Sequence, residues 1–268
     1  MSLSAAQVRE LAEKLFEAER TGVQTPVLSQ SYPDAGMDEA YAVQAELVAL
    51  KLATGRETRG WKIGLTSKAM QYALNIDIPD SGVLLDDMFF PDSATIPSGR
   101  FIQPRVEAEI AFVMKSGLSG PNATIFDVLN ATDYVVPSLE ILDTRVQRID
   151  KETGRARTIF DTIADNAANA GIVTGGRPMR PDAVDLRWIG AIVSRNGQVE
   201  ETGLGAGVLN HPAAGVAWLA NRLSSYGAAI KAGEVVLSGS FIRPIEAGHG
   251  DTIIADFGPM GAVSVFFE

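Results

Sequence analysis

The amino-acid sequence predicts an α+β chain, in which a small helical N-terminal part precedes a β-rich body. Apolar residues recur at helical spacing through the first 55 residues, and from residue 60 they regroup into short runs divided by turn residues. With 46% hydrophobic and 21% charged residues among 268, the chain can bury a large core, although it has no cysteine to cross-link it. The division is placed at residues 1–79, a helical subdomain, and 80–268, the β-rich domain.

The first helix opens at Ser4, which forms a capping-box pair with Gln7 ahead of Val8, Leu11, Leu15 and Phe16. TPVLSQSYPDAG reads as a loop, after which Asp38 is the expected cap of a helix running to Gly55. Strands are expected in GWKIGL, GVLLDDMFF, VEAEIAFVM, YVVPSLEIL, WIGAIVSR, EVVLSGSFI, DTIIADF and AVSVFF. Asn196-Gly197 predicts a type I′ hairpin, and the stretch from Gly258 to Gly261 a second one. Two helices interrupt the strands, one over Thr124 to Tyr134 and one from Pro212 to Gly227.

Composition excludes several kinds of chemistry. A formal net charge of -10 repels phosphate backbones and anionic membranes, so neither nucleic acid nor a membrane is an expected partner. No apolar run reaches the roughly 20 residues of a membrane span, and MSLSAAQVRE lacks the pattern of a signal peptide, so the expected location is the cytoplasm. Zero Cys rules out a thiol nucleophile or thiolate zinc, and the two histidines, His211 and His249, read as capping or exposed groups. GLGAG at Gly203–Gly207 lacks dinucleotide-loop spacing and follows a hairpin strand, so no nucleotide cofactor is expected. Metal chemistry must then use oxygen ligands, which suit magnesium, manganese or calcium.

In Val106-Glu107-Ala108-Glu109-Ile110-Ala111-Phe112, strand alternation sends the two glutamates to one face, about 7 Å apart at their Cα atoms. A solvated strand face is the ordinary outcome for such a pair. Here, however, Ala111 and Val113 share its face, and a third acid, Glu140, lies in the apolar run VVPSLEILD, where an uncompensated charge is expensive. Three acids on two apolar strands predict an oxygen-ligated metal site at Glu107, Glu109 and Glu140. Lys62 in GWKIGLT is either a snorkelling strand-edge lysine or one buried beside carboxylates. Asp80 in IPDSG reads first as a turn-forming Asp. Ser238-Gly239-Ser240 either ends its strand plainly or offers hydroxyls and amides to a carboxylate, and Arg243 in SFIRP is a solvated arginine or a partner for one.

GWKIGLTSKAMQ, PDSGVLLDDMFF, PRVEAEIAFV, LEILDTR, FDTIADNAANAG, GVLNHPAAGVAWLANRL and SGSFIRP together resemble the 2-oxo-hept-4-ene-1,7-dioate hydratases of the fumarylacetoacetate-hydrolase-like superfamily, over nearly the whole chain. The resemblance implies a mixed β-roll, a homo-oligomer of five or ten chains, and Mg2+ or Mn2+ as cofactor. It implies ligand roles for Glu107, Glu109 and Glu140, active-site roles for Lys62 and Asp80, and substrate contacts from Ser240 and Arg243 to a small 2-oxo diacid. It leaves the polar residues of ADNAANAG without a role. Decarboxylation of a 2-oxo-hexenedioate, hydration of a pentadienoate, and a non-catalytic binding function are the alternatives.

Overall fold

The computed structural model describes residues 3–68, 71–72 and 78–268. Two helices come first, α1 (Ala5–Thr21) and α2 (Met37–Ala53). The capping box of Ser4 and Gln7 is formed as expected. Asp38, by contrast, does not cap α2. It sits inside the first turn, and Glu39 reaches back to accept from the N–H of Gly36, whose extended backbone starts the helix.

The body contains thirteen strands among the described residues. They are β1 (Thr58–Gly64), β2 (Asp80–Leu85), β3 (Phe89–Pro91), β4 (Ala94–Ile96), β5 (Arg105–Met114), β6 (Thr132–Leu142), β7 (Asn169–Thr174), β8 (Gly190–Arg195), β9 (Gln198–Leu204), β10 (Val235–Leu237), β11 (Ile245–Glu246), β12 (Thr252–Asp256) and β13 (Ala262–Phe267). Helix α3 (Ile125–Ala131) precedes β6, α4 (Ile159–Ala164) precedes β7, and α5 (Pro212–Ser224) follows β9. The expected helix over Thr124–Tyr134 is thus cut short: Thr124 caps it, and TDYVV, rich in β-branched and aromatic residues, begins β6 instead. Helix α5 ends at Ser224, before the expected Gly227.

The larger sheet has the order β2-β1-β10-β5-β6-β7-β3, with β11 added against β5. Pairs β1–β10 and β3–β7 are parallel and the others antiparallel, so the sheet is mixed. The smaller sheet runs β4-β13-β12-β8-β9. Both expected hairpins are present: Asn196 and Gly197 take positive φ between β8 and β9, and Gly258–Met260 turns β12 into β13. Val106, Ala108, Ile110 and Phe112 of β5 enter the main core with Ile253 and Ala255 of β12, Val263 and Val265 of β13, and Val216 and Leu219 of α5. The opposite face of β5, with Ala111, packs against Leu237, Val136 and Ile172. That second face carries the glutamates. Leu11, Leu15, Val43 and Leu47 of the N-terminal helices pack on Val146, Phe160 and Ile163, closing the layer beyond it. Among the described residues, no helix is long and apolar enough to cross a membrane.

Candidate functional site

Register places the acids. Glu107 of β5 is the direct partner of Glu140 on β6, and Glu109 stands opposite Ser138, one alternation further along the same face. One carboxylate oxygen from each of the three lies within 4.8 Å of the other two. Oxygens on one octahedral magnesium are about 3 to 4.2 Å apart, given bonds of about 2.1 Å, so a small inward movement closes the set on an ion.

The acids are under-satisfied as they stand. Gly239 N–H donates to Glu109 Oε2 at 2.8 Å, but Glu109 Oε1 and both oxygens of Glu140 have no hydrogen-bond donor. Burial, then Glu140, pushes the Glu107 carboxyl up to about 8. Glu109 is pushed well above the ordinary range by burial, then by Glu140 and Glu107. Burial also raises Glu140, against the pull of Lys62. Orphaned, buried carboxylate oxygens converging on one point are what a hard divalent cation takes, and the donor set fits magnesium or manganese.

Lys62 belongs to the same cluster. Its Nζ lies 3.3 Å from Glu140 Oε1, an ion pair not aligned as a hydrogen bond, and donates to the carbonyl of Ala167 at 3.1 Å. Burial works against its charge, but Glu140, Asp80, Glu107 and Glu109 outweigh burial and hold the ammonium above its usual range. Asp80 is the first residue of β2 and not a turn. Its Cα partner is Gly64, on the strand that carries Lys62, and burial raises its carboxyl while Lys62 opposes. A Cβ on Gly64 would stand 2.2 Å from Asp80 Oδ1, so only glycine lets the acid approach.

These groups open onto a cavity of about 1020 Å³ lined by Lys62, Asp80, Glu107, Ser240, Arg243 and others. Glu109 and Glu140 lie beneath its floor, fully buried. The Ser238-Gly239-Ser240 strand end does receive a carboxylate, that of Glu109, and Gly239 is needed there because a Cβ would meet Thr66 at 2.2 Å. Ser240 lines the cavity, and its Oγ donates to the carbonyl of Ile242 at 2.9 Å. Arg243 stands apart from the acids at the cavity mouth, its side chain 79% exposed and paired with Glu201. His211 caps α5, accepting from Ala213 N–H through Nδ1, and His249 is exposed.

The segment ADNAANAG, without a role in the sequence, proves structural to the site. Asn166, Ala167 and Ala168 all take left-handed backbone, which costs a non-glycine residue about 1–2 kcal/mol. This turn aims the Ala167 carbonyl at Lys62. Asn166 and Val83 exchange two hydrogen bonds, Val83 N–H to Oδ1 at 2.8 Å and Nδ2–H to the Val83 carbonyl at 2.9 Å, so the side chain imitates a strand partner for β2. Asn in a polar run was the available signal, since Asn tolerates left-handed backbone better than most residues.

No protein-family model matches the chain. It is 56% identical over 257 residues to a 2-oxo-hept-4-ene-1,7-dioate hydratase of Escherichia coli, an alignment covering 96% of each chain. The solved 4-oxalocrotonate decarboxylase of Pseudomonas putida G7, complexed with magnesium and adipate, superposes with a TM-score of 0.93 at 35% identity, covering 100% of this chain and 99% of that one. A fumarylpyruvate hydrolase from Pseudomonas aeruginosa, in complex with Mn2+ and pyruvate, shares the fold alone, with a TM-score of 0.59 at 14% identity over 78% of this chain and 88% of that one. The expected mixed, curled sheets with N-terminal helices are those of this fold. The chain therefore belongs to the hydratase and decarboxylase family that includes the 2-oxo-hept-4-ene-1,7-dioate hydratases.

Proposed function

We propose that this enzyme is a divalent-metal-dependent hydro-lyase that adds water to 2-hydroxyhepta-2,4-diene-1,7-dioate, giving 4-hydroxy-2-oxoheptanedioate in aromatic catabolism, on the homoprotocatechuate branch. The observation that carries the reading is the convergence of Glu107, Glu109 and Glu140 beside a buried Lys62 at the floor of a cavity, in a chain 56% identical to a hydratase of that name.

Magnesium or manganese held by the three glutamates would supply Lewis acidity to the substrate's 1-carboxylate and 2-oxygen. Lys62 is placed to hold the 2-oxygen by charge as its hydroxyl proton leaves. Asp80, buried and raised, serves as the proton carrier: the proton lost from the 2-hydroxyl is matched by one delivered at C5, which leaves the C3–C4 double bond conjugated with the ketone. Water then adds its oxygen to C4 and a proton to C3. Ser240 and Arg243, on the cavity wall, contact the substrate chain in this reading. A homo-oligomer of five or ten chains in the cytoplasm belongs to it too.

A decarboxylase reading has one observation in its favour, the close superposition on 4-oxalocrotonate decarboxylase. One experiment separates the two. The purified protein with magnesium is given the seven-carbon dienol diacid and the six-carbon 2-oxo-hexenedioate, and products are weighed by mass spectrometry. Gain of water by the former supports the hydratase; loss of carbon dioxide from the latter, with no hydration of the former, overturns it.

A further inference from the structure

One wall of the cavity carries positive charge that the chemistry above leaves unused. Arg105, Arg148 and Arg157 all line it. Arg105 is committed to Glu246, its Nη2 lying 2.7 Å from Oε1. Arg148 and Arg157 are held side by side in the segment between β6 and α4, where Arg157 N–H donates to the Arg148 carbonyl at 3.0 Å and Ile149 bridges to Ala156. Both are half-buried. Among the described residues neither makes an ion pair. Arg148 Nη2 donates to the carbonyl of Gln103 at 3.1 Å, and Arg157 Nη1 to Thr144 Oγ1 at 2.6 Å.

Two neighbouring guanidinium groups, partly desolvated and with no carboxylate in ion-pair contact, are an expensive arrangement unless an anion joins them. Burial, then Arg157 and Arg105, holds Arg148 down to about 10, and burial also lowers Arg157 while Asp165 and Asp161 oppose. Distance suits an anion tethered to the acid cluster. Glu107 and Arg105 are two residues apart on β5, so that this wall begins about 7 Å from the floor. A seven-carbon diacid spans about 7.5 Å between its carboxyl carbons, from six bonds of roughly 1.5 Å in a zigzag. Arg243, across the mouth, is already paired and largely hydrated.

We propose that Arg148 and Arg157 together receive the far carboxylate of a dicarboxylate whose 2-oxo end lies at Glu107, Glu109 and Glu140, and that this pair sets the preference for diacids over monoacids. The inference rests on the 2-oxo acid reading above.

The test uses the magnesium-loaded protein and its Arg148→Met, Arg157→Met, Arg157→Lys and Arg243→Ala variants. For each, kcat/KM is measured on the seven-carbon dienol diacid and on 2-hydroxypenta-2,4-dienoate, and binding of 2-oxoheptanedioate and 2-oxopentanoate is measured by calorimetry. Each Met variant should lose about 10- to 100-fold more on the diacid than on the monoacid, in both efficiency and affinity, with Arg157→Lys losing less. Equal losses on the two substrates, no loss on either, or a diacid-selective loss confined to Arg243→Ala would overturn the inference. Should a Met variant fail to fold, Arg157→Lys alone decides, since it retains the charge and removes the paired geometry. If the wild type hydrates nothing yet still binds the oxo diacid better than the oxo monoacid, and the variants abolish that difference, the hydratase reading fails while the arginine site stands.

Discussion

Lys62 Nζ is enclosed between Glu140 and the Ala167 carbonyl, so its charge is fixed in place before any substrate enters. Preorganised charge of that kind is worth most where negative charge develops during reaction. Lys62→Met should therefore reduce turnover about 10²- to 10³-fold, or about 2.7–4 kcal/mol, equally on diacid and monoacid; unchanged turnover with a lower unfolding midpoint would make the lysine structural. His211 gives a prediction of a different kind. Its Nδ1 must be unprotonated to accept from Ala213 N–H, and burial lowers its pKa below 6.5, with Asp185 opposing. A depressed pKa means that the cap's contribution is full above about 6.5 and is lost as pH falls through the folded value. Acidification from pH 7.5 to 5.5 should therefore destabilise the protein by up to about 1 kcal/mol, and His211→Ser should flatten that component of the profile. Individual residues differ in how much of this their sequence discloses. The alternation of Glu107 and Glu109 exposed their shared face, whereas Lys62 stood open between two readings because its partners lie on other strands. Arg148 and Arg157 sit in an irregular segment, where no period marks which way a side chain points.

Strand β5 presents a core face and an acid face because its side chains alternate, and the β6 register sets Glu140 opposite Glu107. Glu140→Gln keeps the shape and hydrogen-bonding capacity of the side chain but removes one anionic ligand. We expect at least a tenfold loss of manganese affinity by calorimetry, and a smaller rise in unfolding midpoint on adding metal than the wild type shows. Equal affinity in the two proteins would remove Glu140 from the ligand set. The turn at Asn166–Ala168 is tested by Asn166→Ala. Val83 carbonyl keeps a donor in Asn169 Nδ2 at 3.1 Å, but the buried Val83 N–H loses the Asn166 acceptor, at about 1–3 kcal/mol. Because the same turn presents Ala167 to Lys62, turnover should fall alongside stability, and a full loss of stability with native turnover would detach the turn from the site. The strands around this turn were legible as apolar runs between turn residues. The turn itself was not, since three left-handed residues in a row, two of them alanine, contradict local preference and persist because Val83 and Lys62 bind Asn166 and Ala167 from elsewhere while Arg145 holds the flanking carbonyls of Asp165 and Asn169.

Across the whole molecule, a buried chain of charges links the N-terminal helices to the turn at Asn166–Ala168. Arg145, at 2% exposure, pairs with Asp165 at 2.5 Å and donates to the carbonyls of Asp165 and Asn169, while Glu19 of α1 lies 3.9 Å from its Nε and 2.6 Å from Lys51 of α2. The helical layer was legible from periodicity and caps, but nothing in a one-dimensional pattern relates Glu19 to Arg145 or either to Asp165. Burial disfavours every charge in this chain, yet Asp165 and Glu19 together hold Arg145 above its usual range. Burial alone raises Asp165, with Arg145 opposing. Such a network contributes little against an apolar replacement of equal volume, but it is costly to break on one side. Arg145→Met should accordingly destabilise by about 3–5 kcal/mol in urea unfolding, leaving the buried Asp165 without its cation while Glu19 keeps Lys51. Asp165→Asn added to it should cost much less than Asp165→Asn alone, because the carboxylate removed has already lost its partner. Additive effects of the two substitutions would mean that Arg145 and Asp165 do not act as a pair. Coupling without any loss of turnover in Arg145→Met would show that the N-terminal layer stabilises the body but does not hold the turn that positions Lys62.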